Sequence, residues 1–212
     1  MLEAKLLQET GNIIRMVSSN LKKQFEAIVV KGVAPLGRLG ITPNMITILG
    51  VFVSAVAAWT IVISGGEPGY LVTAGTLLLL SGFLDAIDGT LARTTGKVTT
   101  FGGFFDSVCD RYSDAIVLAS VIYSGLCDPF WGFAALIGSM MVSYSRSRAE
   151  TAGVKMAGVG FAERAERMIF LALAIYAASY NPVYLDYGVI ALALLTNFTV
   201  LQRSSYFYDK VK

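Results

Sequence analysis

The chain has 212 residues, of which 55% are hydrophobic and only 15% charged, and its mean hydropathy is +0.62. A soluble domain carries about a quarter charged residues, so composition implies an integral membrane protein with one domain. The net charge of +2 is too small to imply a nucleic-acid partner, and the absence of histidine excludes an imidazole zinc site and leaves proton transfer and metal ligation to carboxylates.

Residues 1–40 mix apolar positions such as Leu6, Ile13, Val17, Leu21 and Phe25 with Lys5, Arg15, Lys22, Lys23, Lys31 and Arg38. The spacing predicts an amphipathic helical segment in the headgroup layer, lysines toward anionic lipid. No compact apolar run marks a cleavable signal, so the first span is expected to direct insertion. Thr42 then reads as a helix N-cap, with Pro43 at the first helical position.

Apolar runs near 44–64, 70–93, 102–124, 130–148, 166–180 and 184–202 predict six spans across a hydrocarbon core of roughly 30 Å. Breaker-rich turns near 65, 125 and 181 and polar loops at 94–101 and 149–165 separate them. The expected fold is an all-α integral membrane protein, six transmembrane helices preceded by the amphipathic interfacial helix. Its membrane domain covers 41–205 and a cytoplasmic tail 206–212. Cys109 and Cys127, placed on one helical stretch, would lie roughly 27 Å apart, which excludes a disulfide between them.

With six spans, all 17 Lys and Arg fall on the side of the N-terminus and the two polar loops, or at span ends facing it. The opposite turns carry only Glu67, Asp128 and Asp186. The positive-inside rule makes the first side cytoplasmic, which predicts a multi-pass protein of the cell membrane.

Four carboxylates, Asp85, Asp88, Asp106 and Asp110, sit at the cytoplasmic ends of spans two and three, where bare charge is costly. Three- and four-residue spacings put each pair on one helix face. Two such faces turned together make a set of hard oxygen ligands suited to Mg²⁺ or Mn²⁺. Asp114, one turn further, is expected to accept hydrogen bonds within the bundle.

Asp85, Asp88, Gly89, Ala92, Arg93, Gly102, Asp106 and Asp110 together resemble the signature of the CDP-alcohol phosphotransferase family, membrane enzymes of phospholipid synthesis. The resemblance covers residues 42–203. It implies two Mg²⁺ or Mn²⁺ ions held by Asp85, Asp88, Asp106 and Asp110, with Asp110 also the proton acceptor. It implies contacts to the CDP group from Asn44, Thr47, Gly89, Arg93 and Thr99. Gly89 and Gly102 would leave room for a nucleotide beside the backbone.

Arginines near the ends of spans four, five and six could form a second phosphate pocket. They resemble those of the branch whose acceptor is inositol phosphate and of its archaeal counterpart, which implies that Arg146, Arg167 and Arg203 hold the acceptor phosphate. Two departures, arginine where other members carry lysine at position 146 and a loop before Glu163 one residue longer, bear on the preferred acceptor. Arg148 and Arg164 are expected to be headgroup anchors. The resulting expectation is transfer from CDP-diacylglycerol or CDP-archaeol to inositol phosphate, with release of CMP, by a homodimer among membrane lipids. Glycerol phosphate or serine is the alternative acceptor. A secondary transporter and a non-catalytic scaffold are the alternatives of other classes; the clustering of acids at one membrane face disfavours the transporter.

Overall fold

The structure, a computed structural model, describes residues 40–212; the amphipathic segment read over 1–40 therefore lies outside the described residues, apart from Gly40. Among the described residues the chain is all-helical: α1 (Pro43–Ser64), α2 (Pro68–Thr94), α3 (Thr100–Tyr123), α4 (Pro129–Thr151), α5 (Arg164–Ala178) and α6 (Val183–Val211). The local signals act where the sequence places them. Thr42 caps α1 by accepting from the Met45 N–H with Pro43 following, and Gly65 closes the helix at φ 55°, a backbone region open to glycine.

Three helices, α1, α2 and α6, are long and apolar enough to cross a membrane, and the chain is a membrane protein. α5 has 15 residues, about 22 Å at the helical rise, so its length alone does not match a bilayer core of roughly 30 Å. α6 differs from expectation at its far end. It runs to Val211, so the segment read as a tail is almost wholly helical. Lys210 and Lys212 lie over the rings of Tyr206 and Tyr208 at 5.5 and 5.7 Å, and these i,i+4 cation–π contacts support the extra turns.

α1 packs along both α2 and α3, α4 along α6, and α5 joins the two groups through α2 and α6. The close crossing of α4 and α6 depends on Gly138, where an added Cβ would collide with the Thr196 side chain and lie 2.8 Å from Asn197 Nδ2. Small residues allow such approach in membrane bundles, where packing replaces the hydrophobic effect between helices. The main core gathers Ile61, Leu71, Val121, Ile175, Leu185 and Val189, all toward the ends bearing the 65, 125 and 181 turns. Cys127 lies past the end of α3, in the turn rather than on the helix, and both cysteines are free. Burial, with the Asp186 and Asp128 charges beside it, pushes the Cys127 thiol up to about 11.

Toward the other end, apolar packing gives way to hydroxyl contacts between helices. Ser81 Oγ donates to the Gly50 carbonyl (2.9 Å) and Ser54 Oγ to Ser113 Oγ (3.0 Å). This polar end of the bundle carries the carboxylates.

Candidate active site

The C-terminal third of α2 and the first half of α3 bring Asp85, Asp88 and Asp106 together, each offering one oxygen within 4.8 Å of the other two. Asp88 is buried, and its Oδ2 receives a 2.6 Å hydrogen bond from Thr47 Oγ1 on α1. Asp106 Oδ1 is buried without a hydrogen-bond partner among the described residues. A buried acceptor left without a donor is costly, and three hard oxygens at this separation match what Mg²⁺ or Mn²⁺ accepts. The residues fit a divalent cation.

Asp110, one turn beyond Asp106, stands outside that triad and is joined to it through an arginine. Arg164 Nη1 lies 2.9 Å from Asp85 Oδ2 and 3.1 Å from Asp110 Oδ1, and its Nε lies 3.4 Å from Asp114 Oδ1. Arg164 opens α5 directly after Glu163, which forms a capping box with Glu166, and that fixed helix start aims the guanidinium across the bundle. It is thus a site residue, with side-chain exposure of only 19%, where the sequence suggested a headgroup anchor. The available signal was its place three residues before Arg167, on the same face of one helix turn.

Asp114 accepts 2.9 Å from Arg167 Nη2, in keeping with the bundle role expected for it. Arg167, buried, also donates from Nη1 to the Ala162 carbonyl (2.9 Å) and from Nη2 to Ser143 Oγ (3.4 Å). Arg203, 2% exposed, donates from Nε to the Val159 carbonyl (2.9 Å) and from Nη1 to that of Val142, tying the 152–163 loop to α4 and α6. Arg146 pairs with Glu150 at 3.0 Å. These three arginines, from three helices, line one cavity of about 810 Å³ together with Asp110 and Arg164. A narrow cleft beside it is lined by Thr47, Asp85, Asp88, Asp110 and Arg164. Asp110 and Arg164 therefore border both recesses.

The residues read as nucleotide contacts lie on α1, on the last turns of α2 and at the N-cap of α3. Thr99 caps α3 by accepting from the Gly102 N–H at 2.9 Å. A Cβ on Gly102 would sit 2.9 Å from Thr99 Oγ1 and 3.6 Å from Asn44 Oδ1, so the glycine lets α1 and the start of α3 approach. Arg93 is exposed and folds beside Gly89, its Nη2 3.3 Å from Thr90 Oγ1. Thr47 Oγ1 also lies 3.2 Å from the Pro43 carbonyl.

Comparison with known proteins adds an independent line. The family model described as CDP-alcohol phosphatidyltransferase matches residues 40–201. The archaetidylinositol phosphate synthase of Pyrococcus horikoshii is 44% identical over 168 residues, covering 79% of this chain and 84% of that one. Its counterpart from Methanothermobacter thermautotrophicus is 37% identical over 199 residues, covering 92% and 98%. The crystal structure of the Mycobacterium tuberculosis phosphatidylinositol phosphate synthase with CDP-DAG bound superposes with a TM-score of 0.73 at 28% identity, over 85% of this chain and 94% of that one. The same synthase in complex with manganese and citrate gives a TM-score of 0.73, over 85% and 88%.

Proposed function

The chain belongs to the CDP-alcohol phosphatidyltransferase family, and from that premise we propose that it transfers the lipid phosphate of a CDP-linked lipid to inositol phosphate and releases CMP. The observation that carries this reading is the shared wall. Asp110 borders both the carboxylate cleft and the arginine-lined cavity, so a base at that position faces a donor on one side and a phosphorylated alcohol on the other. The archaeal relatives favour an ether-lipid donor such as CDP-archaeol and the mycobacterial one CDP-diacylglycerol.

In this reading Asp85, Asp88 and Asp106, with Asp110 at their edge, would hold two Mg²⁺ or Mn²⁺ ions. Bound there, such ions would supply charge stabilisation for a diphosphate undergoing in-line displacement. Thr47 fixes the Asp88 carboxylate by its short hydrogen bond. Asn44, Gly89, Arg93 and Thr99 border the space for the nucleotide. Arg146, Arg167 and Arg203 bind the acceptor phosphate, the first half-exposed and paired only with Glu150 on its own helix, which substrate would displace, the others held in place by backbone and carboxylate acceptors. Asp110 takes the proton of the attacking inositol hydroxyl. The oxygen–phosphorus bond to the acceptor forms as the phosphorus–oxygen bond to CMP breaks.

The six helices are read as six spans of a multi-pass cell-membrane protein with 41–205 as its membrane domain. The site faces the cytoplasm, the N-terminal segment lies at the interface, and two copies form the homodimer. The lysine and arginine distribution supports the orientation.

The test uses purified protein given CDP-archaeol or CDP-diacylglycerol, Mg²⁺ or Mn²⁺, and inositol phosphate, glycerol phosphate or serine in parallel. CMP and a new phospholipid are expected with inositol phosphate. Asp110→Asn should lower kcat by about 10²–10⁴-fold with KM for inositol phosphate little changed. CMP release that survives this substitution removes Asp110 as base, and product with glycerol phosphate or serine alone replaces the acceptor. No CMP with any alcohol overturns the transferase reading.

A further inference from the structure

The Arg164 guanidinium sits where a cation between Asp85 and Asp110 would sit, its Nη1 2.9 and 3.1 Å from one oxygen of each. Asp85, Asp88 and Asp106 remain a separate triad with oxygens within 4.8 Å of each other. Asp85 belongs to both arrangements. The guanidinium is held on its far side by Asp114, 3.4 Å from Nε, and it borders the 810 Å³ cavity, which has room to receive it.

We propose that Arg164 is the resident cation of the Asp85–Asp110 gap, and that a second divalent ion enters that gap by exchange with it after a first ion has bound the triad. The exchange turns the guanidinium into the acceptor cavity beside Arg146 and Arg167. Three observations combine here: a short two-carboxylate grip, a neighbouring triad that shares only Asp85 with it, and a void on the side to which the side chain would turn. Arg164 and Asp110 are largely buried, where charge-assisted bonds gain, while the Asp85 side chain is 36% exposed and its share of the grip is partly screened. An unpaired Asp85–Asp110 couple in the same place would be costly. Arg111 also reaches Asp110, its Nη1 3.6 Å from Oδ2, but only Arg164 bridges the two carboxylates, and two cations cannot share the gap. The consequence is ordering: filling the metal site adds a positive group to the cavity for the acceptor phosphate.

This inference rests on the metal-binding reading above, and the experiment separates the two. Mn²⁺ is titrated into the purified full chain and followed by electron paramagnetic resonance, for wild type, Arg164→Gln, Arg164→Lys and the exposed control Arg148→Gln. Two classes of Mn²⁺ are expected in wild type. In Arg164→Gln the weaker class should tighten at least about tenfold, the scale of one lost charge-assisted contact, and the tighter class should change much less. Arg164→Lys, which keeps the charge but cannot bridge with a planar fork, should fall between, and Arg148→Gln should match wild type. Inositol phosphate affinity, measured without nucleotide, should rise with Mn²⁺ in wild type and not in Arg164→Gln. Absence of any Mn²⁺ binding in wild type overturns the metal reading and this inference with it. Two Mn²⁺ classes that are unchanged in both Arg164 variants, or that tighten equally as a general charge effect would make them, overturn the exchange alone. If Arg164→Gln does not fold, the Arg164→Lys titration decides by the same criterion. An inositol phosphate affinity indifferent to Mn²⁺ in wild type overturns the turn into the cavity.

Discussion

At the scale of single residues, Thr47 illustrates how a position can be legible without its role being so. The sequence places it one turn into the first helix, beside Asn44, and the resemblance makes both nucleotide contacts. The structure buries Thr47 and gives its hydroxyl to Asp88, which is a contact across two helices that periodicity cannot register. A hydroxyl that orients a ligand carboxylate tunes metal affinity, typically by 10–100-fold. Thr47→Val, which keeps the shape, should weaken Mn²⁺ binding by about tenfold, and Thr47→Ser should restore it. Mn²⁺ titration checks this: a Thr47→Val variant with wild-type Mn²⁺ affinity but a raised KM for the CDP-lipid would return the residue to the nucleotide. The aspartates were legible because acid in an apolar segment has few bland uses. Arg164 was not, because an arginine at a helix start looks the same whether it faces lipid headgroups or folds inward.

At the scale of elements, every helix among the described residues was visible as an apolar run between breakers, and boundaries differ mostly by a few residues. The exceptions have physical causes. The last helix outruns its hydropathy signal because polar residues beyond Gln202 remain good helix formers with i,i+4 partners in Tyr206–Lys210 and Tyr208–Lys212. Helix pairing was not legible, since composition says which runs are apolar and not which faces meet. Gly138 shows what pairing adds: within its run it is one of two glycines, and only the crossing of α4 over α6 gives it a contact with Thr196. Gly138→Val should overpack that crossing by about 1–3 kcal/mol, lowering the melting temperature in detergent, whereas Gly138→Ala should cost less. Arg203 acts at the same scale. Through the Val142 and Val159 carbonyls it fastens the loop before α5, so Arg203→Gln should raise KM for inositol phosphate and also speed proteolysis within 152–163. An effect on KM without new cleavage would leave the residue a phosphate ligand only.

For the whole molecule, the separation of core and site decides the orientation argument. The larger apolar core fills the end bearing the turns near 65, 125 and 181, while carboxylates, arginines and both recesses, with only a small cluster around Ile46 and Leu91, occupy the other. The same division organises charge, because among the described residues the site end also carries Lys97, Arg148 and Lys155, and the turns carry Glu67, Asp128 and Asp186. A chain inserted with its cations inside would present the site to the cytoplasm, the orientation proposed above, where a soluble inositol phosphate could reach it. This can be measured directly in cells. With Cys109 and Cys127 replaced by Ser, single cysteines at Lys97 and at Glu67 should label oppositely: a membrane-impermeant maleimide should reach Glu67→Cys in intact cells and Lys97→Cys only after permeabilisation. Labelling of both from outside would place Lys97 on the outer face and remove the six-span topology, and the reverse pattern would turn the site outward, away from a cytoplasmic supply of CDP-lipid and inositol phosphate.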